Sequence, residues 1–286
     1  MTHVDQFESI FRAAVKPVYH YSEMAFKKIL VISDLKTKEA EVFFTQVQGF
    51  LNAIKIDQKQ KWVLVKGSDF KTTSDLLTVV KKQKPDLICT YRNLHSMAWQ
   101  HPHSLGEHLD VLIQKTEVPV VILPHPHAKR QKDHAMIDTN NVMAITDHMS
   151  ADDRLVNYAV SMTENKATLQ LVHMEDTATY NRYIDAISKI PDIDTERAKI
   201  EIKAQLLKEP TEYIQSCAGV LKQQDIPVKI KSIVRFGHSV LEFQKQIKKK
   251  KIDLLVMHGK DEGQLAMHGV AYPLAIEIRE IPLLII

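Results

Sequence analysis

Short apolar runs alternate with longer amphipathic stretches along most of this chain. Lys27-Lys28-Ile29-Leu30-Val31-Ile32-Ser33-Asp34 is rich in β-branched residues and ends in a polar turn, as a strand buried on both faces should. A helical pattern follows, with Ala40, Val42, Phe43, Val47, Phe50, Leu51 and Ile54 offering an apolar side. Further strands are expected at Trp62 to Val65, Leu87 to Thr90 and Val118 to Leu123, with helices between them. Strand and helix in regular alternation demand a parallel sheet with crossover helices. Ahead of this unit, Phe7, Ile10, Phe11, Ala14 and Val15 stand at helical spacing before Pro17, so residues 1–26 read as an N-terminal helical extension.

The polar, proline-containing stretch from Pro124 to His134 lacks an apolar period, and after it the pattern starts again. Asn141 to Asp147 repeats the first strand with its terminal aspartate, and four more strands are expected at Leu169 to His173, Val228 to Val234, Leu254 to Met257 and Leu283 to Ile286. The repeat is literal in places. Lys81-Lys82-Gln83-Lys84-Pro85-Asp86-Leu87-Ile88 matches Lys248-Lys249-Lys250-Lys251-Ile252-Asp253-Leu254-Leu255, and Gly106 and Gly269 each precede a strand-opening proline, Pro119 and Pro282, by 13 residues. Asp34 to Asp86 spans 52 positions whereas Asp147 to Asp253 spans 106, so the first copy lacks about one strand and one long helical unit. The expected class is therefore α/β: two tandem doubly wound parallel sheets, an abbreviated one over residues 27–128 and a full one over 140–286, with a linker at 129–139. In the extra segment, Ile200, Ala204, Leu207, Ile214, Ala218 and Leu221 recur at helical intervals, and Pro210 is expected to bend or divide that helix.

Composition adds exclusions. The formal charge is +3, from 38 basic and 35 acidic residues, too small and too mixed to predict nucleic acid or an anionic membrane as partner. Two distant cysteines, Cys89 and Cys217, support neither a disulfide framework nor a thiolate zinc site, and a reducing cytoplasm fits them. No apolar run approaches the roughly 20 residues that span a bilayer, and no secretory leader pattern opens the chain. No nucleophile elbow, HExxH, P-loop or dinucleotide fingerprint is present, so nothing supports catalysis.

This order of elements, with an aspartate closing the first strand, a histidine closing the second and a glycine-bearing loop before the last helix, resembles the universal stress protein family. The resemblance covers nearly all of residues 27–286. It implies an adenine-nucleotide-hydrolase-like fold, an ATP-phosphate loop of the form G-x2-G-x9-G followed by Ser or Thr, and a nucleotide contact from the first-strand aspartate. Both loops depart from that form. The first copy has Tyr91 and Leu94 where glycines are expected, keeps Gly106, and follows it with Glu107, a carboxylate that repels phosphate. The second places Gly259 and Gly263 out of register and follows Gly269 with Val270. Asp34 and Asp147 match the family aspartate. The resemblance also implies that the two copies meet through their last strands, Val118 to Leu123 and Ile281 to Ile286, which would cover two apolar edges; a homodimer and an unidentified protein partner stay open.

The resulting expectation is a stress-response module that senses a ligand or contacts proteins without catalysis. The alternative is a metal- or adenine-nucleotide-binding protein, with zinc as the metal, using the second copy. There Asp147, His148, His173, Gly237, His238, Ser239, His258, Gly259 and Gly269 fall at or beyond strand ends, where open parallel sheets bind ligands. His173, His238 and His258 are the metal candidates. Seven of the 14 histidines lie between 95 and 134, without recognised ligand spacing, and read as solvated loop residues. The lysine runs read as helix C-termini, where cations offset the dipole.

Overall fold

The structure is a computed structural model that describes residues 18–54, 60–100, 104–128, 134–146, 149, 152–237, 239–259 and 271–286. The first half runs β1 (Lys28–Ser33), α1 (Thr37–Phe50), β2 (Lys61–Lys66), α2 (Thr73–Gln83), β3 (Leu87–Tyr91), α3 (Glu107–Lys115) and β4 (Val120–Leu123). The second runs β5 (Asn141–Thr146), α4 (Asp153–Met162), β6 (Thr168–Asp176), α5 (Thr177–Ile187), α6 (Thr195–Gln223), β7 (Lys229–Gly237), α7 (Ser239–Lys250), β8 (Leu254–Met257), α8 (Ala271–Glu277) and β9 (Leu283–Ile285). Four strands against five is the expected imbalance, and the surplus is α5, α6 and β7.

Among the described residues nine strands form one sheet in the order β2-β1-β3-β4-β9-β8-β5-β6-β7. Within each half every pairing is parallel. At the seam β4 and β9 run antiparallel, Val120 opposite Ile285 and Ile122 opposite Leu283, and all six paired side chains are buried. Ile29 to Ile32 of β1 and Leu254 to Val256 of β8 have no exposed surface, because helices cover both faces of the sheet. In α1, Ala40, Phe43, Val47 and Phe50 recur every three or four residues and face the sheet.

The repeated letters hold repeated roles. Asp86 accepts the Lys27 and Lys28 amides at the mouth of β1, and Asp253 accepts the Asn141 amide at the mouth of β5. Lys84 and Lys251 both adopt left-handed backbone after their helices, and the carbonyls of Pro119 and Pro282 accept the amides of Ile88 and Leu255. The lysines stand in the last turns of α2 and α7, as expected.

Two further ties cross between the halves. Arg92, buried just after β3, donates to the carbonyls of Ala275 (2.7 Å) and Ile278 (2.7 Å), which close the C-terminus of α8. Burial, with Arg279 as a like-charged neighbour, lowers its guanidinium to about 9, which leaves it charged at neutral pH. Residues 18–26, which form neither helix nor strand, lie against α4 and α6. The N-terminal helix expected before Pro17 falls outside the described residues.

Of the bend or division expected at Pro210, division is not found: α6 continues unbroken through the proline, which is buried. Packing on the sheet side holds the helix: Tyr213, Ile214, Cys217 and Leu221 are buried just beyond the proline. Among the described residues no helix is long and apolar enough to cross a membrane. Cys89 and Cys217 are both free and buried.

Candidate functional site

Beyond the carboxyl ends of the first-half strands, protein side chains fill the crevice. Tyr91, fully buried at the end of β3, points its hydroxyl at the turn after β1, where it donates to Asp34 Oδ1 at 2.5 Å, accepts from the Asp34 amide at 3.0 Å and lies 3.0 Å from Ser33 Oγ. Burial, reinforced by the Asp34 carboxylate, raises the phenol well above its usual range, so it stays a donor. The second carboxylate oxygen is also taken: Asp34 Oδ2 accepts the His95 amide at 2.7 Å. Both oxygens of the aspartate that the family resemblance assigns to nucleotide are thus bonded to the protein itself.

The closure is layered. Phe43 meets the Tyr91 ring edge-on at 5.2 Å, and His125 meets it at 4.9 Å. Trp99 stacks on His125 with planes 13° apart. This burial, with His127 adjacent, lowers the His125 imidazole to about 4, so it is neutral. Behind the turn, a Cβ on Gly67 would stand 2.9 Å from Asp34 Cα, which shows how closely the β2 loop is pressed against the aspartate.

Gly106 is kept for a different reason than phosphate approach. It adopts φ +88°, and a Cβ there would stand 2.6 Å from Asn93 Cα, so only glycine lets the start of α3 abut the 92–95 turn. Leu94 is buried in that turn, and Glu107 is exposed in the first turn of α3.

His108 and His125 are packing groups, which corrects the expectation of solvated loops for these two, while His95 and His127 are exposed. His108 is buried on α3, with Nε2 3.2 Å from the Lys71 carbonyl, and its ring and that of His95 both lean on Phe70. His101 and His103 lie outside the described residues. Phe70, His95, Trp99, His125 and Gly67 as parts of the closure were missed by sequence reading. The available signal was the aromatic and histidine density on both sides of Tyr91.

In the second half, His173 pairs in register with Thr146, and Val256 pairs with Ala144, so His173 and His258 flank the end of β5 from its two neighbouring strands. Each binds its own carboxylate. His173 Nε2 stands 2.9 Å from Glu175 Oε1, and His258 Nε2 stands 2.7 Å from Asp152 Oδ2, while Asp152 Oδ1 caps α4 through the Leu155 amide. His173 is buried, and its Nδ1 has no hydrogen-bond partner among the described residues. Gly259 packs rather than cradles: its amide donates to Ile286 at 3.1 Å, and a Cβ would stand 2.5 Å from Ile285 Cγ2. Gly237 ends β7, and Ser239 opens α7. Asp147, His148, His238 and Gly269 fall outside the described residues. Among the described residues no group of three or more His, Cys, Asp or Glu side chains gathers closely enough to hold a metal ion.

Residues 139–267 match the universal stress protein family. No curated protein matches the chain. Among solved structures, a universal stress protein from Archaeoglobus fulgidus superposes with a TM-score of 0.53 at 12% identity, covering 91% of this chain and 97% of that one. A functionally unknown protein from Pseudomonas aeruginosa, PA1789, superposes with a TM-score of 0.52 at 12% identity, covering 92% of each chain. At such identities the likeness is one of fold.

Proposed function

From a chain whose second half is a universal stress protein domain, we propose a stress-response protein that acts as a non-catalytic ligand-sensing or protein-interaction module. In this reading it comprises two such units, 27–128 and 140–286, held together through their last strands. Its first-half crevice takes no nucleotide. The observation that carries this reading is the state of Asp34, whose two carboxylate oxygens accept from the Tyr91 hydroxyl and the His95 amide. A nucleotide hydroxyl would have to displace a buried tyrosine from its packing against Phe43 and His125. The first half does not fit ATP, and whatever ligand the protein senses goes to the second half.

Equilibrium dialysis with labelled ATP tests this. At most one nucleotide per chain is expected, with affinity unaltered by Asp34→Asn. Two nucleotides per chain, or loss of binding on that substitution, would contradict it.

A second reading is favoured by one observation, the unpartnered Nδ1 of buried His173. A histidine held through one ring nitrogen by a carboxylate and open at the other has the disposition of a ligand to a borderline metal such as zinc. Under this reading the second-half crevice takes a metal or an adenine nucleotide. Metal and nucleotide analysis of the purified, denatured protein decides it: near-stoichiometric zinc or adenine nucleotide that is lost in His173→Ala supports the reading, and absence of both from the unsubstituted protein removes it.

A further inference from the structure

The segment before β1 is held on the second half in the manner of a bound peptide. Residues 18–26 form neither helix nor strand, and α4 and α6 receive them through side chains that bind backbone. Ser216 Oγ accepts the Tyr19 amide at 3.1 Å, and Asp153 Oδ2 accepts the His20 amide at 3.2 Å. Asn157, itself buried, accepts the Ser22 amide at 3.1 Å and donates to the His20 carbonyl at 3.3 Å. Four backbone groups between Tyr19 and Ser22 are thereby read without regard to sequence. Selectivity comes from Tyr19, which is buried with its ring edge-on to Tyr213 at 6.3 Å and its hydroxyl 2.6 Å from Asn157 Oδ1. The pocket wall is fixed in turn, because Tyr213 donates to Asp153 at 2.6 Å. Phe26, against Tyr158, marks the far end.

We propose that the groove between α4 and α6 is a recognition site for a peptide segment bearing tyrosine, filled in cis by residues 18–26, and that its occupant in trans is the same segment of a second copy of this chain. Every group that receives the segment lies more than 130 positions away along the chain, so the contacts do not depend on the covalent connection. Reciprocal exchange reproduces each of them twice about a two-fold axis, the usual economy of segment swapping. The tether favours the cis form, since a short linker sets an effective concentration on the order of millimolar. Exchange therefore emerges where cis docking is weakened. This inference is independent of the crevice reading.

Complementation between two full-length variants tests it. Tyr19→Ala keeps the groove and spoils the segment, whereas Asn157→Ala keeps the segment and spoils the groove. Each alone is expected to be monomeric by light scattering, and an equimolar mixture is expected to yield a dimer containing one of each. A labelled synthetic peptide of residues 17–27 is expected to bind the Tyr19→Ala chain at least about tenfold more tightly than the wild type, whose own segment competes, and the same peptide lacking the tyrosine should not displace it. No binding to Tyr19→Ala, or displacement by the tyrosine-less peptide, overturns the site. Peptide binding without a mixed dimer overturns the second copy as its occupant. The peptide arm stands even if Asn157→Ala fails to fold.

Discussion

Replacing Tyr91 by Phe isolates the hydroxyl that closes the first-half crevice. The ring, with its contacts to Phe43 and His125, is retained, and only one oxygen is removed. That oxygen donates to the Asp34 carboxylate, accepts the Asp34 amide and lies within bonding distance of Ser33 Oγ. A hydrogen bond to a charged group contributes about 1.5–3 kcal/mol and a neutral one about 0.5–1.5 kcal/mol, and the partners left behind are half-buried or buried. The expected loss is about 2–4 kcal/mol. An unfolding entropy of about 2.1 cal/mol/K per residue over a chain of this size makes each kcal/mol worth roughly 2 °C. Tyr91→Phe should therefore melt about 4–8 °C below the wild type, with a matching drop in urea midpoint and no change in its slope. A melting temperature within about 1 °C of the wild type would refute the argument, because an oxygen bonded as described cannot be removed without cost.

Other substitutions probe the seam and the buried titratable groups. Arg92→Met leaves the Ala275 and Ile278 carbonyls without their donor at the end of α8 and should destabilise the protein by about 2–4 kcal/mol in urea titration. Burial raises Asp253 to about 6 from an ordinary value near 3.8. The folded state then binds more protons than the unfolded one between those values, so stability falls as pH rises from about 4 to 6, by on the order of 2–3 kcal/mol. Asp253→Asn should flatten that limb in denaturant titrations run across this range. His125 has the opposite sign. Its pKa falls to about 4 from 6.5, so the stability it supports is complete above about 6.5 and is lost as pH falls toward 4. His125→Phe, which keeps an aromatic face for Trp99, should remove that acid-side loss.

The parallel sheet, the duplication and the unequal strand count were legible because buried parallel strands write continuous apolar runs and the two copies share letters at Asp86 and Asp253. Proline signals were less transferable. Pro210 reads as a residue that bends or divides its helix, yet the buried stripe from Tyr213 to Leu221 keeps the helix undivided through it. At the crevice, the glycine losses were visible as losses, but sequence alone could not reveal that the Tyr91 side chain is directed into the crevice and closes it. That depends on the left-handed turn at Asn93 and His95 and on the close approach of Gly106 to Asn93, both products of three-dimensional packing. Two histidines misled for a related reason. An imidazole ring is a good packing surface for aromatic rings, and His108 and His125 are used that way.

A crystal structure determined in saturating ATP would test the self-filled crevice most directly. The account predicts the Tyr91 hydroxyl still on Asp34 and no nucleotide in the first half. An adenosine bonded to Asp34 with the tyrosine swung aside would contradict it.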